Sequence, residues 1–176
     1  MTDSKDFISL TTDNATGICT LTMQRKPVNG MSPDFLSRLL SAFEACEKDT
    51  VVKAVLVRSA HASTFSAGLD LFEITGWLEA NKGKMDANNA GLVPLIGDAL
   101  SSPLRLSKPV AAAVAGHAIA GGFVLAAACD FVAVQKPKAG AKESLIGVTE
   151  TQARLSVDSF LTAALTGWHS VAACAA

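Results

Sequence analysis

The chain has 176 residues, 15 Lys and Arg against 16 Asp and Glu, a 49% hydrophobic composition and a mean hydropathy of +0.34. That length suits one domain with a buried core. The balanced charge, the absence of tyrosine and the lack of a basic stripe interleaved with aromatics argue against a nucleic-acid surface. Cys19, Cys46, Cys129 and Cys174 form no CxxC pair and do not combine with His61, His117 or His169 at metal-ligand spacing, so they read as free thiols and no metal site is expected. The N-terminal Met1-Thr-Asp-Ser-Lys-Asp lacks a secretory pattern and is too acidic for a transit peptide. The final Ala173-Cys174-Ala175-Ala176 is no peroxisomal or prenylation address. The compartment is left open, with an intracellular bias.

In chain order, 7–10 and 17–23 read as two short strands joined by the polar turn Thr12-Asp13-Asn14. Ser32-Pro33-Asp34 is a helix start, with an N-cap, a proline at the first helical position and an acid in the first turn. Phe35, Leu36, Leu39, Leu40 and Phe43 then recur at helical spacing, predicting a helix to about Lys48. Residues 51–57 predict a buried strand, 70–78 a helix, 81–89 a polar loop, and 92–104 a helix with Pro94 in its first turn. Lys108-Pro109 introduces a strand over Val110–Val114. A short alanine-rich helix over 121–128 and a strand over 130–135 follow. Residues 110–129 carry no formal charge and are nearly long enough to span a bilayer. Pro109, the glycines at 116, 121 and 122 and the missing cationic flanks favour a buried strand and turn instead. Strand–turn–helix units in this order predict an α/β fold with its turns gathered at one end of a sheet, and no internal repeat is evident.

Two glycine-centred turns stand out, Phe65-Ser66-Ala67-Gly68-Leu69-Asp70 and Gly116-His117-Ala118-Ile119-Ala120-Gly121-Gly122. Each follows a β-branched run and precedes a helix start. Glycine there lets backbone approach a ligand and leaves helix N–H groups unpaired. Two such turns can aim one N–H each at a single oxygen, the design of an oxyanion hole. Ser66 has no nucleophile-elbow context and no identifiable His–acid pair, which argues against a serine hydrolase. Asp70 reads as a helix cap, His117 as a packing residue, and Glu73, Glu79 and Glu143 as surface or loop charges.

These turns, with Arg25-Lys-Pro-Val-Asn29 and Cys129-Asp130, make residues 7–152 resemble the crotonase superfamily of enoyl-CoA hydratases and isomerases. The resemblance implies a crotonase-like ββα spiral core over 1–154, followed by a short, atypical tail over 155–176 in place of most of a C-terminal helical region. It implies that the N–H groups of Leu69 and Gly121 hold a thioester oxygen. The loops carrying Lys26, Val28 and Asn29, and Ser66, Ala67, Gly68 and Asp70, would contact coenzyme A. It also implies an acyl-CoA thioester as partner, coenzyme A only as part of the substrate with no separate cofactor, and a homo-oligomer, a trimer by family resemblance. A role in β-oxidation would place the protein in mitochondria or peroxisomes; otherwise it would be cytoplasmic.

By the same resemblance, the two glutamates of the hydratases fall at Val124, in Gly121-Gly-Phe-Val-Leu125, and at Glu150, in Gly147-Val-Thr-Glu-Thr-Gln152. Water addition needs two groups to manage its protons, and valine manages none. Moving a double bond needs one base that takes a proton from C2 and returns it at C4, so Glu150 alone suffices. The pattern therefore resembles the Δ3,Δ2-enoyl-CoA isomerase branch, with enoyl-CoA hydratase the weaker expectation. The chain runs only 26 residues beyond Glu150. One helix is expected over 155–165, and the Gly167-Trp168-His169 and alanine-rich stretch predicts nothing that closes a pocket. The alternative is a non-catalytic acyl-CoA-binding or interaction subunit.

Overall fold

A computed structural model describes residues 6–81, 91–136, 143–148 and 171–174. The chain opens with a hairpin of β1 (Ile8–Asp13) and β2 (Ile18–Met23), antiparallel in register from Ile8↔Met23 to Asp13↔Ile18. Asp13 closes its turn: the carboxylate accepts from the Ala15 N–H and the Thr16 hydroxyl, and its carbonyl accepts from the Gly17 N–H. Helix α1 (Pro33–Lys48) begins as its sequence predicts, with Ser32 Oγ accepting from the Phe35 N–H at 3.2 Å. At its far end Lys108 Nζ donates to the carbonyls of Cys46, Glu47 and Asp49, so a cation sits on the negative end of the helix.

The remaining elements are β3 (Ala54–Ser59), β4 (Thr64–Ser66), α2 (Leu71–Ala80), α3 (Leu92–Leu100), α4 (Ser102–Arg105), β5 (Val110–Val114), β6 (His117–Ile119), α5 (Gly121–Ala127), β7 (Phe131–Gln135), β8 (Ile146–Gly147) and β9 (Val171–Cys174). They build two sheets. The larger runs β1-β2-β3-β5-β7-β9 and is parallel from β2 onward; the smaller runs β4-β6-β8 and is wholly parallel. Each circuit of the chain therefore leaves one strand in the large sheet and one in the small sheet before a helix returns it. β3-β4-α2 and β5-β6-α5 are two such circuits, and β7-β8 starts another. Met31, paired with Leu69 in an isolated parallel bridge, stands in for the short strand between β2 and α1. This is the ββα spiral that the crotonase resemblance implies, a structural repeat that no sequence self-similarity announces.

The core lies between the large sheet and the helices. Phe35, Leu36, Leu39 and Phe43 of α1 pack with Leu21, Met23, Val55, Val57, Val110 and Ala112 of the sheet, all essentially shielded from water. Full burial of one such large apolar side chain contributes roughly 1.5–3 kcal/mol. Cys19, Cys46 and Cys129 are buried free thiols. Burial, then the Cys19 thiol 3.6 Å away, pushes the Cys46 thiol up to about 12.

Three expectations need correction. The strand expected over 51–57 starts later, at Ala54, where its parallel register with β2 begins opposite Ile18. The helix expected over 92–104 breaks at Ser101, whose hydroxyl bonds back to the Gly97 carbonyl, and restarts with Pro103 in the first turn of α4. The two short strands β4 and β6 lie inside segments that read only as glycine turns. In the alanine-rich stretch, for which no element was expected, Val171–Cys174 form β9, which extends the large sheet parallel to β7. The uncharged stretch 110–129 is strand, turn, strand and short helix, and among the described residues no helix is long and apolar enough to cross a membrane. The expected helix over 155–165 and most of the 81–89 loop lie outside the described residues.

Candidate active site

The first glycine turn links β4 to α2 and is tied down by side chains. Ser66 is fully buried; its hydroxyl donates to the Asn29 carbonyl at 2.8 Å and accepts from the Gly68 N–H at 3.1 Å. Asn29, also fully buried and at φ 51°, donates from Nδ2 to the Phe65 carbonyl and Ser59 Oγ, both at 2.9 Å, and to the Met23 carbonyl at 3.4 Å. One amide thus clamps the ends of β2, β3 and β4. The Ala67 N–H donates to the Val28 carbonyl at 3.0 Å, joining the 25–29 loop to the turn. Gly68 has φ +83°, and a Cβ there would lie 2.8 Å from Ala120 Cβ, so both conformation and space require glycine. Asp70 caps α2 by accepting from the Glu73 N–H, and the same carboxylate pairs with Arg25 Nη1 at 2.8 Å. Partial burial raises the Asp70 carboxyl, but its hydrogen bonds from Arg25 and the Glu73 N–H outweigh this and hold it below the usual carboxylate value.

The second turn links β6 to α5 and is fitted by packing. A Cβ on Gly122 would come within 2.6 Å of the Ser66 carbonyl oxygen, so the two turns touch backbone to backbone. Ala120, at φ 50° and ψ −129°, occupies a conformation that side-chain-bearing residues rarely adopt. Its N–H donates to the Gly147 carbonyl at 3.0 Å, which draws β8 against the turn. His117, expected only to pack, accepts the Leu145 N–H on Nδ1 at 3.0 Å and so also holds the β8 segment. Val124 is fully buried in the core. Asp130 accepts the Val110 N–H and fixes the start of β5.

The turns meet at Gly68 and Gly121: a Cβ on Gly68 would be 3.0 Å from the Gly121 nitrogen. In the Met31–Leu69 bridge, Met31 donates to the Gly68 carbonyl and accepts from the Asp70 N–H, which leaves the Leu69 N–H unused. Gly121 is the first residue of α5, where a helix has no internal acceptor for the N–H. Among the described residues neither N–H has an acceptor. Two uncommitted donors on touching turns, backed by buried apolar structure, can stabilise charge developing on one oxygen far better than water-exposed donors would.

The structure thus sets Gly68, the neighbour of Leu69, against Gly121 and joins Val28, Asn29, Ser66, Ala67 and Gly68 in one hydrogen-bonded unit. The Ser66 hydroxyl and the Asn29 Nδ2 are consumed within that unit, Asn29 Oδ1 is buried without a hydrogen-bond partner among the described residues, and Lys26 is exposed. Glu150 lies outside the described residues; β8 brings the chain to Gly147, beside Ala120, three residues before it. Sequence reasoning missed the Met31–Leu69 bridge, which no motif marks. It also missed the part played by Arg25, whose only signal was its place beside the Lys-Pro-Val-Asn motif. Just beyond the bridge an open groove of about 500 Å³ runs between the start of α1 and α2, with Pro33, Phe72 and Trp77 in its lining.

Residues 13–157 match the family model described as enoyl-CoA hydratase/isomerase. The chain is 32% identical over 143 residues to a probable enoyl-CoA hydratase of Bacillus subtilis, covering 80% of this chain and 52% of that protein. It is 28% identical over 141 residues to mitochondrial enoyl-CoA delta isomerase 1 of Homo sapiens, covering 80% of this chain and 43% of the relative. The crystal structure of human mitochondrial delta3-delta2-enoyl-CoA isomerase superposes with a TM-score of 0.76 at 26% identity, covering 90% of this chain and 57% of that one. An enoyl-CoA hydratase/carnithine racemase from Magnetospirillum magneticum shares the fold with the same TM-score at 23% identity, over 93% of this chain and 57% of that one. The chain spans about half the length of these relatives. With its spiral of paired strands and its two touching glycine turns, this chain belongs to the enoyl-CoA hydratase/isomerase family, the crotonase superfamily.

Proposed function

We propose that the protein is an isomerase that shifts the double bond of a 3-enoyl-CoA to the 2-position. The thioester carbonyl oxygen accepts from the N–H groups of Leu69 and Gly121. Glu150 removes a proton from C2, and the electron pair moves into the carbonyl to give a dienolate whose charge the two donors stabilise. The Glu150 carboxyl, which can trade its proton with water first, then protonates the dienolate at C4, leaving the double bond conjugated with the thioester and Glu150 ionised as it began. Donors fixed before the reaction spare the cost of reorganising solvent around the new charge, an effect worth about 3 kcal/mol per donor in other oxyanion holes. Coenzyme A, held along Lys26, Val28 and Asn29 and along Ser66 to Asp70, supplies binding energy remote from the reacting carbons.

The observation that carries this reading is the contact of the two turns with both N–H groups uncommitted among the described residues. The choice of isomerase over hydratase rests on Val124. The position that resembles the first hydratase glutamate holds an apolar side chain sealed in the core, leaving one carboxylate for proton transfer. Purified protein given 3-enoyl-CoA is expected to form the conjugated 2-enoyl thioester, seen by its ultraviolet absorbance, with the Glu150→Gln variant inactive. With 2-enoyl-CoA it is expected to form no 3-hydroxyacyl product. Hydration would identify a hydratase. Folded protein that binds acyl-CoA and converts neither substrate would identify a binding subunit.

A further inference from the structure

The Arg25 guanidinium reaches both flanks of the Met31–Leu69 bridge at once. Nη1 donates to the Gly30 carbonyl at 2.7 Å and to Asp70 Oδ2 at 2.8 Å, and Nη2 lies 3.7 Å from Glu73 Oε1. Gly30 directly precedes Met31, and Asp70 directly follows Leu69. The bridge is made of backbone alone, Met31 N–H to the Gly68 carbonyl at 2.8 Å and Asp70 N–H to the Met31 carbonyl at 3.1 Å. Those two bonds set the peptide plane that carries the Leu69 N–H. Arg25 itself is well anchored: its side chain is only 14% exposed, its carbonyl accepts from the Asn29 N–H and from His61 Nε2, and its guanidinium lies 5.4 Å from the centre of the Phe7 ring.

We infer that Arg25 is a positioning residue for the oxyanion donor, locking Gly30 to Asp70 so that the Leu69 N–H is held at the angle the thioester oxygen requires. Geometry matters as well as charge. Both short bonds leave the one nitrogen Nη1, whose two N–H groups are fixed in the guanidinium plane and so set the angle between Gly30 and Asp70, whereas a lysine ammonium rotates freely on its stem and fixes no such angle. Arg25 is placed to act through the bridge, so its loss is expected to affect the polarisation of bound thioester more than binding itself. The inference rests on the proposed oxyanion role of Leu69 and Gly121.

The test is the infrared carbonyl band of a saturated acyl-CoA, labelled with carbon-13 at the thioester carbon and bound at saturation to the full chain. In the unsubstituted protein the band is expected to move to lower frequency than in water. Arg25→Gln and Arg25→Lys are both expected to lose most of that displacement, and to lower kcat for 3-enoyl-CoA by about tenfold or more with the acyl-CoA Kd changed less than about twofold. Asp70→Asn keeps a side chain that caps α2 and removes the ion pair, so it is expected to lose part of the displacement and to supply the answer if the Arg25 variants do not fold. A folded Arg25→Gln protein with the full displacement and unchanged kcat overturns the inference, as does a full displacement in Asp70→Asn. No displacement in the unsubstituted protein instead sinks the oxyanion reading on which the inference stands.

Discussion

The two glycine turns meet at one point but are held there by different forces. The first is a polar assembly: Ser66, Asn29 and the Arg25–Asp70 pair tie it to the 25–31 loop through side-chain hydrogen bonds, nearly all of them shielded from water. The second has little side-chain support beyond His117. It is shaped by close backbone contact at Gly122, by an alanine in a left-handed conformation at 120, and by ladder bonds to β8. A polar assembly fails when one buried partner is left unpaired, and a close-packed one fails when volume is added. The same few ångströms of structure are therefore vulnerable in opposite ways.

Substitutions can break that contrast in order of size. Gly122→Ala puts a methyl group 2.6 Å from the Ser66 carbonyl oxygen, where no flexible side chain can yield. A loss of about 3 kcal/mol or more is expected in denaturant unfolding, at the upper end of what overpacking costs. Ser66→Ala deletes a hydroxyl that both donates and accepts within a fully buried cluster. It leaves the Asn29 carbonyl and the Gly68 N–H without that partner, an expected loss of about 2 kcal/mol. A change below a few tenths of a kcal/mol would show that the polar clamp is ornamental.

Smaller effects sharpen the comparison. Ala120→Gly is expected to stabilise, by about 1 kcal/mol, because relief at φ 50° outweighs the added freedom of glycine in the unfolded chain. A lower unfolding midpoint for this variant would mean that the Ala120 methyl contributes packing that exceeds its strain. The smallest effect is set by pH. The Asp70 carboxyl is held below its ordinary value, so its contribution is complete above the unfolded value of about 4 and is lost as pH falls through the lower folded value. Acid titration of unfolding in Asp70→Asn is expected to show a shallower loss below about pH 4 than the unsubstituted chain. Identical curves would assign that acid sensitivity to other carboxylates.

What the sequence made legible follows from where the signals are local. The N-cap, proline and acid at Ser32-Pro33-Asp34 act within one helical turn, and α1 starts where they imply. β5 is a β-branched and alanine run bounded by Pro109 and Gly116, and its bounds were readable as well. Both turns were visible because glycine is demanded by backbone geometry. The small sheet was not visible: its strands are two or three residues long, too short for periodicity, and exist only because the spiral stacks them. The Met31–Leu69 bridge was hidden for the same reason, since it joins residues 38 positions apart through backbone atoms that carry no side-chain signature. β9 is an alanine-rich edge that pairs with β7, and nothing in its composition separates it from a helix.

The most direct test of the two-turn oxyanion hole is proton exchange at C2. The full chain is incubated with 3-enoyl-CoA in deuterium oxide, and substrate and product are read by NMR. Conjugated 2-enoyl-CoA is expected, with deuterium entering recovered 3-enoyl-CoA at C2 faster than in buffer, and with both lost in Glu150→Gln. Bound 3-enoyl-CoA that neither exchanges nor rearranges on folded protein would contradict the two-turn oxyanion hole, because two donors aimed at the thioester oxygen with a base in reach must make that proton labile.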